Sequence, residues 1–552
     1  MLNRDYELVP TIGDHGLRRA LRLALQALVV IWSFVPTRFS VLFCAAGIFL
    51  GALAGAMGVI LPLQWIFAPI SLIVIVAVLI FFTFPEMRSV PIRAIAPTFF
   101  VFVIAEMTLP IYVAITAPGL PFISIIRMAM IVAAFPFLIS VAGSAEVRQR
   151  MKAALSVDKP LTYAIYALFI AFALSIPTSL TPFESTKFLI NFCIDTLFPF
   201  FACVFVMDSE RRQDKFLRIM VLCAIFAVML GCIEYYIQRR FLFHLMSQSV
   251  IEKDPRFAAA LSANLFGNGR FRASAHFLVP LSFGEYCSLI LPVALYFLAY
   301  PRNARDRILG LCGALAMLVG VYVADARGGV VGVLMGSAAF MLLYTIKAVG
   351  RRKSSLVGPW LISLLPIIFS IVPAMMLASH TFSTFITHGE EGASSTDDRY
   401  IQWGMAWPKI LSSPLTGWGL GNSGKVVGFV SSGAAGVSVD SYPLTLIVDS
   451  GVLGLFAFYA VLGILLWRGV SIYLRNSNPA SAKAIALVST FVAFLVQRTV
   501  LSQTENFTNI FMLIGLFVAL EQILRSQKNS TMSIAPKLGN DPYRGTLSSE
   551  RH

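Results

Sequence analysis

The chain has 552 residues, of which 57% are hydrophobic and only 13% are charged. A soluble domain usually carries about 25% charged residues, and water cannot solvate a surface so poor in charge, so lipid must cover much of it. The composition excludes a soluble enzyme carried by one membrane anchor and predicts an all-α fold, a polytopic membrane helix bundle of about 14 transmembrane helices with two long periplasmic loops.

Apolar segments long enough to cross the hydrocarbon core, which takes about 20 residues, recur along the chain. Residues 1–38 carry charge and no signal-peptide pattern, so we expect an uncleaved tail. The predicted spans, of which the first two could form one re-entrant pair, are 39–60, 66–84, 94–115, 121–143, 160–179, 186–207, 214–235, 280–300, 306–324, 329–346, 356–377, 442–467, 484–502 and 505–524.

These spans divide the chain into blocks separated by two long outer loops. The blocks are a cytoplasmic N-terminal tail (1–38), an N-terminal membrane bundle (39–235), a first periplasmic loop (236–279), central spans (280–377), a second periplasmic loop (378–441), C-terminal spans (442–524) and a disordered cytoplasmic tail (525–552). Because the other connections are short, the two loops and the span ends beside them must supply most of the chemistry on the outer face.

Alternate connections are rich in Lys and Arg, and this asymmetry predicts the orientation. They hold 30 of the 43 basic residues, and the positive-inside rule places them, with both termini, in the cytoplasm. The segments are the N-terminal tail, 85–93, 144–159, 208–218, 301–307, 347–353, 468–483 and the C-terminal tail. The net charge of +15 therefore reflects the topology of a multi-pass protein of a bacterial inner membrane. Since the basic residues share no compact face, we expect no nucleic-acid partner.

The seven cysteines fall inside predicted spans and none lies in a long outer loop. We expect them to be small buried apolar side chains rather than a disulfide framework. No CxxC or histidine-rich spacing indicates a metal site, so we expect neither a metal nor another cofactor.

The second loop contains a candidate amphipathic helix. Trp403, Trp407, Ile410 and Leu411 recur at helical spacing, which is typical of a helix that lies at the membrane surface. Pro408 predicts a kink or an end, and the Pro and Gly residues that follow must stop the helix in any case. The alternative is that the tryptophans only anchor the loop at the interface.

Thirteen basic residues lie in predicted spans or on the outer side, against the positive-inside bias. An arginine at the centre of a span costs roughly 2.5–3.5 kcal/mol. A carboxylate partner or snorkelling offsets that cost in a structural interpretation, and an anionic ligand offsets it in a functional one, since guanidinium forks match phosphate oxygens. Arg327 follows Asp325 in an ADARGG turn whose glycines let backbone approach a ligand. For Arg239 and Arg240 we expect surface charge.

Carboxylates inside spans allow the same two interpretations. Glu285 and Asp449 could each pair with an arginine in a structural role, and Glu285 could instead act as a base. For Glu106, Asp195 and Glu234 we expect internal polar contacts.

Four motifs, in order along the C-terminal half, carry a resemblance to a known family. They are GRFRASAHFLVPLSFGEYCSLILP, an arginine-containing loop before a span; VADARGGVVGVLMG, similar to an SRGG turn; DDRYIQWGMAWPKILSSPLTGWGLGNSG, an arginine, a tryptophan-containing helix and a P-x-x-G-x-G turn; and DSYPLTLIVDSGVLGLFAF, similar to an HNxYLxxxxxxGxxGL span start. Together they resemble the O-antigen ligase and Wzy-type polysaccharide polymerase superfamily over roughly residues 265–525.

The resemblance implies a glycosyltransferase that uses neither a nucleotide sugar nor a metal. Such proteins take a glycan from an undecaprenyl-diphosphate carrier in the outer leaflet and transfer it to a sugar hydroxyl on an acceptor. Matched motif by motif, it implies that Arg327 and Arg399, with Arg270 or Arg272 as a third, bind the diphosphate. The expected partners are the lipid-linked glycan donor and acceptor, membrane lipid, a flippase and a chain-length regulator.

The chain departs from the ligase pattern where the second loop meets the next span. The ligases carry His-Asn there, whereas this chain has Asp440 and Ser441. Asp440 can accept a proton if burial or neighbours tune its pKa, or it can merely cap the following helix. Glu285 and His276 are the other candidate catalytic bases, although His276 could equally be a structural polar residue. The substitution favours a polymerase over a ligase.

Three functions follow as hypotheses. The first is polymerisation of undecaprenyl-diphosphate-linked oligosaccharide repeat units into a surface polysaccharide, O-antigen or exopolysaccharide, at the periplasmic face. The second is an O-antigen ligase that transfers lipid-linked glycan to lipid A core. The third, from another class, is a lipid-linked oligosaccharide transporter or flippase. A flippase needs a polar path across the whole membrane, whereas the arginines of interest cluster at the outer end, which favours outer-leaflet chemistry.

Overall fold

The computed structural model describes residues 86–87, 89–115, 123–246, 266–267, 270–351, 389–430, 437 and 439–534. The predicted spans 39–60, 66–84 and 356–377 and the N-terminal tail lie outside these residues, as does the end of the C-terminal tail. The described part is mostly α-helical with only two short β-hairpins, which confirms the all-α class of the predicted fold.

The elements follow one another along the chain with short connections. They are α1 (Ile92–Thr108), β1 (Ala114–Ile115), β2 (Ile123–Ser124), α2 (Ile125–Gly143), α3 (Ala145–Leu155), α4 (Lys159–Leu174), α5 (Pro182–Val206), α6 (Glu210–Ile237), a 3-10 turn (Phe241–Leu245), β3 (Phe266–Gly267), β4 (Arg270–Phe271), α7 (Pro280–Ala299), α8 (Ala304–Ala324), α9 (Arg327–Arg351), α10 (Gly389–Ser412), α11 (Ser423–Val427), α12 (Tyr442–Arg475), a 3-10 turn (Pro479–Ala482), α13 (Lys483–Arg498) and α14 (Phe507–Ile534).

Each of the other eleven predicted spans contains a helix. Within the described residues, nine helices are long and apolar enough to cross a membrane, and the pair α3 and α4, bent by 100°, makes a tenth if it crosses as one span. The predicted span 94–115 was too long, because α1 ends at Thr108 before Pro110, a residue that biases the chain before it away from helix. The following β1 and β2 form an antiparallel hairpin in which Ala114 lies opposite Ser124.

Capping side chains begin several of the helices. In each case the side chain of the N-cap residue accepts a hydrogen bond from the backbone N–H three residues later, which satisfies one of the donors that a helix start leaves free. These N-caps are Ser124 of α2, Ser144 of α3, Asp158 of α4 and Asn303 of α8.

The centre of the bundle is formed by α7, α13 and α14, whose spans are about four-fifths buried. The outer helices α2, α5 and α8 expose rows of large apolar side chains instead, among them Ile131, Phe135 and Leu315. A row of this kind is stable only against lipid or another protein, so these helices form the lipid-facing layer.

Ion pairs gather at one end of the bundle. Asp214 on α6 pairs with Arg302 at 2.5 Å and with Lys483 at 3.2 Å, and Arg218 binds Asp306 through two nitrogens at 2.8 and 3.2 Å. These residues belong to three of the basic connections, 208–218, 301–307 and 468–483, which therefore lie on one side of the bundle, as the positive-inside pattern requires.

Candidate functional site

Helix α10 carries Arg399 across the opposite end of the bundle. The predicted amphipathic helix is present, but it runs through Pro408 without ending there and stops at Ser412, before Pro414. Tyr400, Trp403 and Trp407 form an exposed aromatic stripe, and tryptophan and tyrosine are the side chains that favour the membrane interface. The apolar stripe is therefore free to face lipid.

The opposite face of α10 is buried, and it includes Gln402, Ala406 and Ile410. Ile410 was grouped with the tryptophans in the sequence pattern, but it lies on this inner face, packed with the start of α12. Gln402 is fully buried although it is polar, so its amide needs partners.

Gln402 finds its partner in Asp440. Its Nε2 donates to a carboxylate oxygen of Asp440 at 3.3 Å, and its Oε1 accepts from the backbone N–H of Asp440 at 3.1 Å. Arg399 lies three residues before Gln402, on the same side of the helix, so α10 carries Arg399 one helical turn from the residue that binds Asp440. Nothing in the sequence marked Gln402, since a glutamine on a helix has no distinctive pattern.

The hydrogen bonds of Asp440 bear on the alternative that it only caps a helix. Within the described residues, its carboxylate bonds to Gln402 and to no amide of α12. Ser441 is the N-cap residue of α12, and its side chain makes no capping bond either. The Asp440 carboxylate therefore points toward α10, and the capping interpretation is wrong.

Helix α12 is broken at Gly451, where φ is +65° and ψ is −167°. The P-x-x-G-x-G loop fills the break. The N–H groups of Trp418 and Gly419 donate to the carbonyls of residues 448 and 449 at 2.8 and 2.9 Å, and the N–H of Val452 donates to the carbonyl of Pro414 at 2.8 Å. Inside a membrane, the backbone N–H and C=O groups that a broken helix leaves free must form hydrogen bonds with neighbouring protein. The P-x-x-G-x-G loop supplies these hydrogen bonds.

Asp449 fixes the far end of the same loop. Its carboxylate accepts hydrogen bonds from the backbone N–H groups of Gly421 (2.8 Å), Asn422 (3.1 Å) and Ser423 (2.6 Å). The arginine partner that the sequence allowed for Asp449 is not found among the described residues, where three amides compensate its charge instead. Asp449 attaches the loop after α10 to α12.

Glu285 is occupied by a structural ion pair. It accepts from Arg498, and its other oxygen accepts from Asn506 Nδ2 at 2.9 Å. Glu285 and Arg498 are both fully buried. Removing either partner of a buried ion pair leaves an uncompensated charge, so the geometry commits Glu285 to Arg498 and supports its structural interpretation.

Arg498 also connects two of the motifs. Its guanidinium lies 5.7 Å from the ring of Tyr442, the first residue of α12, while it binds Glu285 at the start of α7. The sequence signal for Arg498 was an arginine at the outer end of a span, one of the thirteen that oppose the positive-inside bias.

The ADARGG turn joins α8 to α9 beside the start of α7. Asp325 adopts a left-handed conformation with φ of +47°, and Arg327 begins α9. A Cβ on Gly329 would lie 3.0 Å from the carbonyl oxygen of Gly284. The close approach that Gly329 permits in this structure is therefore between two helices.

The arginine-containing loop lies against the end of α8. The N–H of Ala273 donates to the carbonyl of Val323 at 2.9 Å, and the Arg270 guanidinium lies 5.8 Å from the ring of Tyr322. This places Arg270 and Arg272 at the end of the bundle that carries Arg327.

Arg240 was predicted to be a surface charge, and that prediction was wrong. Its side chain is 9% exposed and its guanidinium lies 4.6 Å from the ring of Phe243. Burial lowers its pKa to about 10, an effect that nearby Glu234 opposes. Glu234 makes internal polar contacts, as predicted, since one of its oxygens accepts from the amides of Ser274 and Ala275.

His276 is buried beside the first motif. Its ring lies 4.1 Å from that of Phe277, and neither ring nitrogen has a hydrogen-bond partner among the described residues. Burial lowers its pKa to about 3, so the imidazole is neutral and weakly basic near pH 7. A general base works best when its pKa lies near the operating pH, which disfavours His276 in that role.

The four motifs thus meet at one end of the bundle, the end that the basic connections predict to be periplasmic. Arg270, Arg272, Arg327 and Arg399 are all half-buried there. Arg399 forms no ion pair with any described residue, and its Nε is buried without a partner. The described residues contain no group of three or more His, Cys, Asp or Glu side chains that could hold a metal ion.

Comparison with known families supports the resemblance drawn from the motifs. The family model of the O-antigen ligases (Wzy_C) matches residues 312–459, about a quarter of the chain, from α8 to the middle of α12. This confirms the resemblance to the O-antigen ligase and Wzy-type polymerase superfamily, and it gives no support to the flippase hypothesis. A comparison with curated proteins finds no match.

Proposed function

We propose that this membrane protein is a glycosyltransferase that polymerises undecaprenyl-diphosphate-linked oligosaccharide repeat units into a surface polysaccharide at the periplasmic face of the inner membrane. The observation that carries the proposal is the hydrogen-bonded pair of Gln402 and Asp440. This pair attaches the Asp440 carboxylate to α10 one helical turn after Arg399, on the helix whose aromatic stripe suits the membrane surface.

The arginines would bind the diphosphate of the donor. Arg399 supports this assignment best, because its guanidinium has no carboxylate partner in the described part of the chain and one of its nitrogens is buried. Arg327, with Arg270 or Arg272, would complete the site from the end of α8 and the start of α9, where guanidinium forks match phosphate oxygens.

Asp440 would act as the base. The acceptor hydroxyl gives its proton to the Asp440 carboxylate while its oxygen attacks the anomeric carbon of the donor. The bond between that carbon and the diphosphate oxygen breaks, the bonding electrons leave with the diphosphate, and the configuration inverts. The arginines stabilise the negative charge that develops on the leaving group, and holding donor and acceptor together supplies much of the remaining acceleration.

The polymerase is preferred over the ligase because Asp440 stands where the ligases carry histidine. The ligase remains the second candidate, since the matching family is described as O-antigen ligase. Both would use the same arginines and differ in the acceptor, which is another lipid-linked repeat unit for the polymerase and lipid A core for the ligase.

The proposal is tested on the surface glycan of a deletion strain that is complemented with the Asp440→Asn variant. The substitution keeps the size of the side chain and removes the base, so activity should fall about 10²-fold or more at normal protein level. Asp397→Asn is the matched control, since Asp397 is exposed on α10 and its carboxylate has no assigned role. Single capped repeats in place of long chains would identify a polymerase, and free polymer on its carrier a ligase. Full-length polymer from Asp440→Asn would contradict the role of Asp440.

A further inference from the structure

A groove of about 600 Å³ runs between α6 and α8, at the end of the bundle that gathers the ion pairs. It is named here the α6–α8 groove. The residues that line it recur at intervals of three and four along each helix, so each set forms one stripe of its helix. They include Arg218, Leu222 and Ile225 on α6 and Arg305, Ile308 and Cys312 on α8.

The groove is polar at one end and apolar along the rest. Arg218 and Arg305 lie near the starts of their helices, and the apolar members of each stripe follow them. At 1.5 Å per residue, each stripe extends about 10 Å from its arginine toward the middle of the bundle. Leu222 and Ile308 are more than half exposed, so an apolar group from outside the described chain must cover them.

The two helices touch behind the groove. A Cβ on Gly313 would lie 2.6 Å from Cγ1 of Val221, and both residues are buried. Val221 precedes Leu222 and Gly313 follows Cys312, so this contact closes the groove toward the interior of the bundle. The groove is therefore open only on the side that faces lipid.

The polar end of the groove carries an unbalanced positive charge. Arg218 binds Asp306 through two nitrogens at 2.8 and 3.2 Å, so these two charges cancel. Arg305 is exposed and forms no ion pair with any described residue. Asn303 accepts from the amide of Asp306 through Oδ1 at 2.8 Å, which leaves its side-chain NH₂ group to donate. The start of α8 adds the partial positive charge of a helix N-terminus.

These features select an amphipathic anion as the ligand. A free phosphate would leave the apolar stripes uncovered, and an uncharged lipid would leave Arg305 unbalanced. An anionic phospholipid satisfies both ends of the groove. Basic pockets between transmembrane helices on the cytoplasmic side are suited to lipid headgroups, and the basic connections predict that this end of the bundle faces the cytoplasm.

We propose that the α6–α8 groove binds one anionic phospholipid of the cytoplasmic leaflet. Its phosphate lies at Arg305 and the start of α8, and an acyl chain runs along Leu222 and Ile308. The site is at the opposite end of the bundle from Arg399 and Asp440. It is therefore independent of the proposed function, and glycan synthesis should not depend on its occupancy.

Native mass spectrometry of the whole purified protein tests the proposal. Delipidated protein in detergent is titrated with dioleoyl phosphatidylglycerol or dioleoyl phosphatidylcholine, which differ only in the headgroup, and the Kd of the first bound lipid is measured. The wild type should bind phosphatidylglycerol more tightly. Arg305→Gln should weaken that binding about fivefold, the effect of one basic residue near a membrane surface. Since Arg305 has no ion-pair partner in the described part of the chain, thermal stability should stay unchanged.

Two further variants separate a built site from general attraction. Arg307→Gln is the matched control, because it removes the same charge from an exposed position about 200° around the axis of α8, outside the groove. It should bind phosphatidylglycerol almost as the wild type does. Leu222→Trp fills the groove without changing a charge and should weaken phosphatidylglycerol binding as well.

Three results would overturn the proposal. Equal binding of the two lipids by the wild type would show that the headgroup charge is not recognised. Equal losses from Arg305→Gln and Arg307→Gln would show that diffuse surface charge attracts the lipid. Undiminished binding by Leu222→Trp, with displacement of the lipid by inorganic phosphate, would show that the groove holds a free anion and no acyl chain.

Discussion

Arg399 is the residue whose environment most clearly calls for a ligand. It is half-buried, it has no acidic partner among the described residues, and its Nε is buried without an acceptor. By contrast, Arg498 is fully buried and neutralised by Glu285. The two arginines lie at the same end of the bundle, but only Arg498 has a protein carboxylate as its partner. A guanidinium without such a partner is the better candidate for binding an anionic ligand.

Arg399→Lys should lose much of the activity although it keeps the charge, because an ammonium cannot make the paired contact of a guanidinium fork. Since no ion pair is lost, protein level and thermal stability should stay near the wild type. The measurement is the glycan chain-length distribution of a complemented deletion strain. Arg305→Lys, at an exposed position at the opposite end of the bundle, is the control and should support full-length polymer. Normal chains from Arg399→Lys would show that a point charge suffices.

Among the elements, the break in α12 and the loop that fills it explain why two of the motifs are rich in glycine. Gly417 and Gly451 have φ of +68° and +65°, and a Cβ on either would lie within 2.6 Å of backbone across the contact. The loop can therefore dock only if both positions lack a side chain. Through that contact and Asp449, the loop fixes α10, and with it Arg399, relative to Asp440.

Gly451→Ala should destabilise the protein, because its backbone conformation is accessible only to glycine and the new methyl group would lie 2.3 Å from the carbonyl of Leu415. The expected loss is at least about 3 kcal/mol from strain and overpacking together. Gly463→Ala, on the same helix with nothing within 4 Å of the added Cβ, is the control and should be neutral. Thermal unfolding of the purified variants compares them, and equal midpoints would show that the loop does not depend on this contact.

At the scale of the whole molecule, the bundle has two chemically distinct ends. One gathers the ion pairs of Asp214, Asp306 and Lys483, and the other gathers the four motifs with half-buried arginines. The first coincides with the basic connections, so we expect it to face the cytoplasm. Donor and acceptor would then approach the second end from the periplasmic leaflet.

Cysteine labelling tests this orientation at exposed positions. In a variant without native cysteines, a membrane-impermeant maleimide should modify Asp397→Cys in intact spheroplasts and should modify Arg305→Cys only after the membrane is opened. Both side chains are exposed, so a difference between them reports the side of the membrane. Labelling of Arg305→Cys in intact spheroplasts would reverse the predicted topology.

Composition and the spacing of apolar segments were sufficient to predict the membrane bundle and the helices of its described part. Composition and spacing suffice because a membrane span needs only about 20 consecutive, mostly apolar residues. That condition does not depend on the rest of the chain. The order of the motifs predicted the resemblance to the O-antigen ligase superfamily for the same reason, since each motif is a short continuous segment.

The partners of the buried charges were decided only by the tertiary structure. Glu285 and Arg498 are 213 residues apart, and Gln402 and Asp440 are 38 apart, so no local pattern could join them. Arg240 was misjudged because its burial depends on the fold around Glu234. For Asp449 the sequence left the partner open, and the fold supplies three backbone amides. A buried charge must be compensated, but which group compensates it depends on how the helices pack.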